Sequence, residues 1–284
     1  MGFPGAVADL EAADYAVVGA PLDTSTTFQP GTRFGPERIR RFSRSYDDYD
    51  RLTDQYFSDC AVHDAGDVRA WDDAVEYLEF LGGSLADHHR DGAVPLLLGG
   101  EHTVTAAGVR ATDPDVLVVL DAHLDLRDDY DGNPWSHAAV VRRALDGDPE
   151  SAPLSTVSGT ADHAVIIGAR TGSKAEWERA ERDDVTVVSP EDAADWEPDF
   201  ADESVYLSVD IDGADPAFAP GTGTMEPFGL SPREMRDVVR AVAPHAVGFD
   251  TVEVNDRDDG QAAALAGKLL KEFVLSHADG YPED

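Results

Sequence analysis

Apolar residues in this chain come in short unbroken runs and seldom alternate with polar ones. The runs are "YAVVGAP" from Tyr15, "VPLLLGG" from Val94, "VLVVLDAH" from Val116, "HAVIIGAR" from His163, "VTVVS" from Val185, "VYLSVDID" from Val205 and "AVGFDTVEV" from Ala246. A run with no polar face suits a parallel strand covered on both sides. Between the runs the period changes. "WDDAVEYLEFLGGSLADHHRD" places Val75, Leu78, Leu81 and Leu85 along one side, as a helix does. "SPREMRDVVRAVAP" opens with Ser231 as N-cap, Pro232 at the first helical position and Glu234 two residues later, which predicts a capping box. "DGQAAALAGKLLKEFVLSH" predicts a final helix. No repeat, low-complexity tract or Pro/Ser linker interrupts the series. Alternating strands and helices predict a single α/β domain over 1–284, doubly wound around a mainly parallel sheet. Sites in such sheets gather at the carboxyl ends of the strands, so the residues just after each apolar run carry the information.

Composition narrows the picture. At 42% hydrophobic the chain can bury a core. No apolar run approaches the roughly 20 residues of a membrane helix. The opening "MGFPGAVADLEAADY" lacks the basic and apolar regions of a secretion signal. Cys60 is the sole cysteine, which excludes an internal disulfide and a thiolate metal site and makes a cytoplasmic location the expectation. The net charge of -35 argues against nucleic acid and anionic membranes as partners. Only Lys174, Lys268 and Lys271 among the 22 basic residues are lysine. Acid this heavy, spread along the whole chain, fits a halophile's cytoplasm, where molar salt screens repulsion within about 3 Å.

The strand ends hold the candidate chemistry. Glu101 and His102 follow "PLLLGG"; Asp121, His123 and Asp125 follow "VLVVL"; Asp210 and Asp212 sit in "YLSVDID". Residues two apart on a strand face the same way, so Asp121 with His123, and Asp210 with Asp212, are expected as same-face pairs. With His102 and Asp125 they make six ligand-type groups. Four carboxylates brought close together repel strongly. Arg127 is the only basic residue beside them in sequence, and alone it cannot neutralise them. Divalent cations can. An oxygen and nitrogen set without sulfur suits Mn²⁺ ahead of Mg²⁺, Zn²⁺ or Co²⁺, and six groups suit two ions about 3.5–4 Å apart. A lone Asp-x-Asp in so acidic a chain is usually solvated surface, whereas three motifs ending three apolar runs are not. The other histidines read as structural: His88 and His89 end a helix, His277 lies near the C-terminus, and His63, His163 and His245 flank strands. His137 is the exception, in the loop-like "DGNPWSHAA" leading away from the cluster.

"GGEHT", "DAHLD" and "SVDIDGADPAFAPGTGTMEPFGL" resemble the three signatures of the ureohydrolases, the family of arginase and agmatinase. "VVGAPLDTSTTFQPGTRFGPERIR" and "FDTVEVNDRDDGQAAALAGKLLKEF" extend the resemblance over nearly the whole chain. It implies a three-layer α/β/α fold and two Mn²⁺ per subunit. His102, Asp121, Asp125 and Asp210 would hold one ion, and Asp121, His123, Asp210 and Asp212 the other. The ions would supply hydroxide at neutral pH to attack a guanidinium carbon. Asp125 would take the proton, His137 would relay one to the leaving amine, and Glu253 would hold the guanidinium fork. Urea and an amine would result, from an enzyme built as a homotrimer or homohexamer.

Family members differ in the tail of the substrate. Glu226 and "NPWSHAAVVRRA" resemble the agmatinase form, and the acids Asp128, Asp129 and Asp131 would favour a cationic tail. Agmatine is therefore the expected substrate, ahead of aminopropyl-agmatine, a guanidino acid, arginine or formiminoglutamate. Ala138, Ala139, Met225 and Phe228 depart from the usual family residues and could reshape the tail pocket. A metallophosphoesterase would need a Gly-Asn-His-Asp/Glu motif, which is absent. A non-catalytic scaffold relative would be expected to have lost metal ligands, and all six are present. The charge reading makes its own prediction: the thermal midpoint should rise as KCl is raised from none to molar. A chain fully folded and active without added salt would refute the halophilic reading.

Overall fold

The computed structural model describes residues 2–69, 71–151, 153–154 and 159–278. Ten strands and seven α-helices follow one another among these residues: β1 (Tyr15–Ala20), α1 (Gly35–Phe42), β2 (Tyr49–Asp50), β3 (Gln55–Tyr56), β4 (Val62–Asp67), α2 (Ala74–Arg90), β5 (Val94–Gly99), α3 (Thr105–Thr112), β6 (Val116–Leu120), α4 (Val140–Asp146), β7 (His163–Ile167), α5 (Lys174–Ala180), β8 (Val185–Val188), β9 (Val205–Asp210), α6 (Pro232–Val242), β10 (Ala246–Val252) and α7 (Gln261–Ala278). Eight strands form one sheet in the order β4-β1-β5-β10-β9-β6-β7-β8. Every neighbouring pair in it is parallel. The short β2 and β3 pair antiparallel apart from it.

The unbroken apolar runs have the expected cause. Alternate residues of each strand part to opposite faces, and both faces are covered. Val116, Val118 and Leu120 pack with Met235, Leu269 and Phe273 of α6 and α7. Leu117 and Val119 pack with Tyr77, Leu81 and Val109 of α2 and α3. Helices thus lie on both sides of the sheet, giving the expected three-layer α/β/α arrangement. Leu78, Leu81 and Leu85 of α2 are buried, and Val75 packs at the edge of the same cluster. Ser231 caps α6 reciprocally: its Oγ accepts from Glu234 N at 3.3 Å, and Glu234 Oε2 accepts from Ser231 N at 2.7 Å. The edge strand β4 reads "VHDAGD", too polar to announce itself. Buried Arg40 holds it by donating to both Asp64 oxygens, at 2.8 and 2.9 Å, and to Asp67.

Four adjacent strands, β5, β10, β9 and β6, end at one place, and their carboxyl ends carry the candidate residues. The strands stop earlier than their apolar runs suggest. β6 ends at Leu120, before Asp121, and β9 ends at Asp210, so Asp212 lies in the 3-10 turn Ile211–Gly213. The same-face pairing of Asp121 with His123 and of Asp210 with Asp212 is therefore a product of turns, not of strand alternation. Past β5 the backbone of Gly100 lies against that of Leu22, and a Cβ at Gly100 would fall 1.9 Å from the Leu22 carbonyl oxygen. Gly100 N donates to Ala20 O and Glu101 N to Leu22 O, both at 2.7 Å, which seats the loop after β1 beside the strand ends. Gly100→Ala should therefore destabilise the protein by about 1–3 kcal/mol through forced backbone movement, read as a lower midpoint in urea.

Candidate metal centre

The strand ends bring all six sequence-predicted ligands together. His102 Nδ1 lies 3.2 Å from Asp121 Oδ2, 3.0 Å from Asp125 Oδ2 and 3.3 Å from Asp210 Oδ2. His123 Nδ1 lies 3.4 Å from Asp121 Oδ1 and 3.1 Å from Asp212 Oδ2. Two clusters able to hold a metal result, His102 with Asp121 and Asp125, and His123 with Asp121 and Asp212. They share Asp121, and Asp210 approaches the first through His102.

Local turns aim these side chains. Asp121 Oδ1 accepts from His123 N at 2.7 Å, and Asp210 Oδ1 accepts from Asp212 N at 2.8 Å. Each aspartate closes its own turn with one oxygen and presents the other to His102. Ala122 N donates to Asp212 Oδ1 at 3.1 Å, and Thr224 Oγ1 donates to Asp212 Oδ2 at 3.0 Å. Asp125 and Glu253 have left-handed backbones, with φ of 48° and 59°. Such a backbone costs about 1–2 kcal/mol for a residue with a Cβ, and both positions project a carboxylate into the site.

The electrostatics call for positive charge. Burial, then the Asp212 and Asp121 carboxylates, push Asp210 well above the usual carboxylate range. Burial and Asp121 push Asp125 up to about 6. Burial opposes charge on His102 and His123, yet the surrounding aspartates hold both rings well above the usual imidazole range. A ring nitrogen carries at most one hydrogen and cannot satisfy three carboxylates. His102 Nδ1 and Asp121 Oδ2 in fact lie buried with no hydrogen-bond partner. Neighbouring ligands of an octahedral cation with bonds of about 2.1 Å stand about 3 Å apart, which is the spacing around His102. The donor set fits divalent cations.

Beside the cluster stands His137, in the 3-10 turn His137–Ala139 that leads into α4. Its Nδ1 is 3.2 Å from Glu253 Oε1. Its Nε2 accepts from Thr27 N at 3.3 Å and lies 3.0 Å from Thr27 Oγ1. Glu253 Oε1 also accepts from His102 N at 2.8 Å, while Glu253 Oε2 is buried and unpartnered. Burial opposes charge on His137, but Glu253 raises its pKa to about 9. Fully buried Glu101 accepts from Ser25 N and Ser25 Oγ, both at 2.8 Å, and Ser25 Oγ accepts from His137 N at 2.9 Å. Glu101 thereby ties the loop after β1 to the backbone of His137.

A cleft of about 320 Å³ opens over the centre. His123, Asp125, Asp210, Asp212 and His137 line one part of it, and Arg127, Tyr130, Ser173 and Glu176 another. Ala138 lines it, whereas Ala139, Met225, Glu226 and Phe228 do not. Glu226 contributes its backbone carbonyl to Arg170 at 2.7 Å. Asp128 pairs outward with Arg143 at 3.2 Å, Asp129 accepts from Gly132 N at 2.8 Å, and neither they nor Asp131 line the cleft. The acidic loop and the Glu226 side chain therefore do not line this cleft.

Several residues escaped sequence reasoning. Arg170 donates to the carbonyls of Asp212, Gly213, Glu226 and Pro227 and pins both ends of the long signature loop. Ser25, Thr27 and Thr224 hold the site through polar contacts, and nothing in their local pattern marks them; Glu101, noted at the end of its apolar run, holds Ser25. The histidines read as structural behave so: His63 meets Ala8 O at 2.9 Å, His163 meets Thr186 Oγ1 at 2.9 Å, and His277 joins Tyr15 and Ala246.

Known proteins resemble this chain in sequence and fold. A family model described as the arginase family matches residues 13–276. An agmatinase of Pyrococcus horikoshii is 35% identical over 269 residues, covering 92% of this chain and 91% of its own. A guanidinobutyrase of Pseudomonas aeruginosa is 35% identical over 294 residues, covering 94% and 87%. The crystal structure of agmatine ureohydrolase of Thermoplasma volcanium matches with a TM-score of 0.86 at 34% identity, covering 97% of this chain and 94% of that one.

The His137–Glu253 contact can be tested by pH. His137 has a folded pKa raised above the unfolded value of about 6.5, so its stabilising share is complete below that value. It is lost as pH rises through about 9. In metal-free protein, NMR of the imidazole should show titration near 9. Glu253→Gln should lower it and flatten the fall in stability between those limits.

Proposed function

The chain belongs to the arginase family of binuclear metal-dependent hydrolases acting on guanidino groups, and we propose that it converts agmatine to putrescine and urea with two Mn²⁺ per subunit. His102, Asp121, Asp125 and Asp210 would hold one ion, and Asp121, His123, Asp210 and Asp212 the other. When bound, the ions supply Lewis acidity and a hydroxide at neutral pH. The remaining work falls to the chain's own groups.

Glu253 binds the substrate's guanidinium. Its Oε2 is a buried acceptor with no partner, and a planar cation with several N–H donors fits it. Asp125 lines the cleft, where it would accept a hydrogen bond from the attacking hydroxide and then its proton. His137 returns a proton to the leaving amine. Its two contacts suit a group that changes protonation state: neutral, Nδ1–H donates to Glu253 while Nε2 accepts from Thr27 N; protonated, Nε2–H turns to Thr27 Oγ1.

One observation carries the choice of tail. Among the described lining residues Arg127 is the sole Lys or Arg, and it is already engaged. Its NH2 is 3.3 Å from Glu176 Oε2, and its guanidinium lies over the Tyr130 ring, 5.3 Å from the centroid. No free cation waits for a carboxylate tail, while the cleft's own carboxylates favour an ammonium. Guanidinobutanoate is the runner-up, since the guanidinobutyrase is as similar to this chain as the agmatinase. Aminopropyl-agmatine satisfies the same charge argument as agmatine.

The same reading places one ureohydrolase domain over 1–284, working in salt-rich cytoplasm as a homotrimer or homohexamer. No described helix is long and apolar enough to cross a membrane. The test is urea release in molar KCl with Mn²⁺ from agmatine, arginine, aminopropyl-agmatine and 4-guanidinobutanoate in parallel. Agmatine should be the best substrate. Asp125→Asn should lower turnover by about 10²-fold or more without altering assembly. Urea from a carboxylate substrate alone would overturn the tail assignment, and silence on all four would point to a formimino or other guanidino substrate, or to a non-catalytic scaffold.

A further inference from the structure

A buried carboxylate in the middle of the sheet takes no part in the chemistry above. Asp250 lies on β10, fully buried, directly opposite Ser208 in the ladder with β9. A carboxylate inside a sheet core is expensive unless something uses it. Ser208 Oγ donates to Asp250 Oδ1 at 2.6 Å, the length of a charge-assisted hydrogen bond. Ser208 Oγ in turn lies 3.2 Å from His102 Nε2, and Thr105 Oγ1 on α3 lies 3.3 Å from Ser208 Oγ. The three groups make a line: carboxylate, hydroxyl, imidazole.

We propose that Asp250 and Ser208 are positioning residues that set the tautomer of His102 and so prepare its Nδ1 to bind a divalent cation. The direction of the line follows from what each group can do. At 2.6 Å the Ser208 hydroxyl donates to the Asp250 carboxyl, so its single hydrogen points to Asp250. The Ser208 oxygen is then left to accept, and His102 Nε2 must be the donor. In the neutral ring the hydrogen then sits on Nε2, and the Nδ1 lone pair faces Asp121, Asp125 and Asp210. Metal-binding histidines are commonly fixed by a carboxylate on the far ring nitrogen; here a serine stands between the two. Asparagine at 250 would break the logic, because its amide can donate to Ser208. Ser208 could then donate to Nε2, placing the hydrogen on Nδ1 where the ion must sit.

The inference rests on the metal-centre reading but not on the substrate. Its test needs only Mn²⁺ and the metal-free full chain, with free ion followed by electron paramagnetic resonance. Wild type should take up two ions. Asp250→Asn and Ser208→Ala should each weaken one of the two by about 10–100-fold and leave the other unchanged. Turnover in both variants should recover when Mn²⁺ is raised, with KM for substrate unaltered, which a merely structural defect would not allow. If Asp250→Asn does not fold, Ser208→Ala decides alone. Variants that bind both ions as wild type does, or that lose both equally without rescue, overturn the relay. A wild type that takes up no Mn²⁺ overturns the metal centre and the relay with it.

Discussion

Four carboxylates packed out of water around two imidazoles cannot stand without added positive charge, and the architecture of this protein answers that demand. Asp121 and Asp212 are wholly or nearly buried, and Asp125 and Asp210 are nearly so. Bringing such groups together by folding alone is strongly unfavourable. The displaced pKa values of Asp125, Asp210, His102 and His123 express one imbalance, a surplus of negative charge that draws protons wherever it can. A divalent cation relieves it more completely, because one ion meets several oxygens at once.

That demand explains features otherwise costly to the fold. Asp125 and Glu253 accept left-handed backbones. Gly100 gives up its side chain so that the loop after β1 can lie on the strand end. Arg170 spends its guanidinium on backbone carbonyls to fix a loop that carries Asp212 and Thr224. Each device sits at the junction of β5, β10, β9 and β6. The rest of the sheet is ordinary two-sided apolar packing, which makes the junction stiff enough to hold ligands about 3 Å apart.

Much of this was readable in the sequence, for a definable reason. Unbroken apolar runs signal two-sided burial whatever lies around them, so the seven main strands and the α/β class followed directly. The six candidate ligands stood out because three motifs rich in ligand-type residues end three apolar runs, where sites of such sheets gather. What could not be read was whatever depends on closure in three dimensions. Alternation along a strand was the wrong reason for Asp210 and Asp212 to face one way; a 3-10 turn does it. β4 was hidden because its polarity is balanced by Arg40, 24 residues earlier than Asp64. Nothing in the sequence singles out Ser208 or Asp250; the ladder sets them side by side. Asp128, Asp129 and Asp131 do not line the cleft; acid so common along this chain is by itself no guide to a place in the site.

Acid therefore has two meanings in this chain, and salt separates them. At molar ionic strength a surface charge is felt over only about 3 Å, so a net charge of -35 neither repels an anion nor steers a cation from any distance. The buried cluster is different, because its carboxylates are almost wholly out of water and screened much less. Long-range attraction cannot then select a cationic substrate under those conditions, and contact must. Selection falls on groups that are both buried and short of partners. Glu253 Oε2 meets both conditions for a guanidinium, and the engaged state of Arg127 leaves a carboxylate tail without a partner. Specificity that works by desolvated contact keeps its strength as salt rises, which is the property a cleft needs when its surface charge has been screened away.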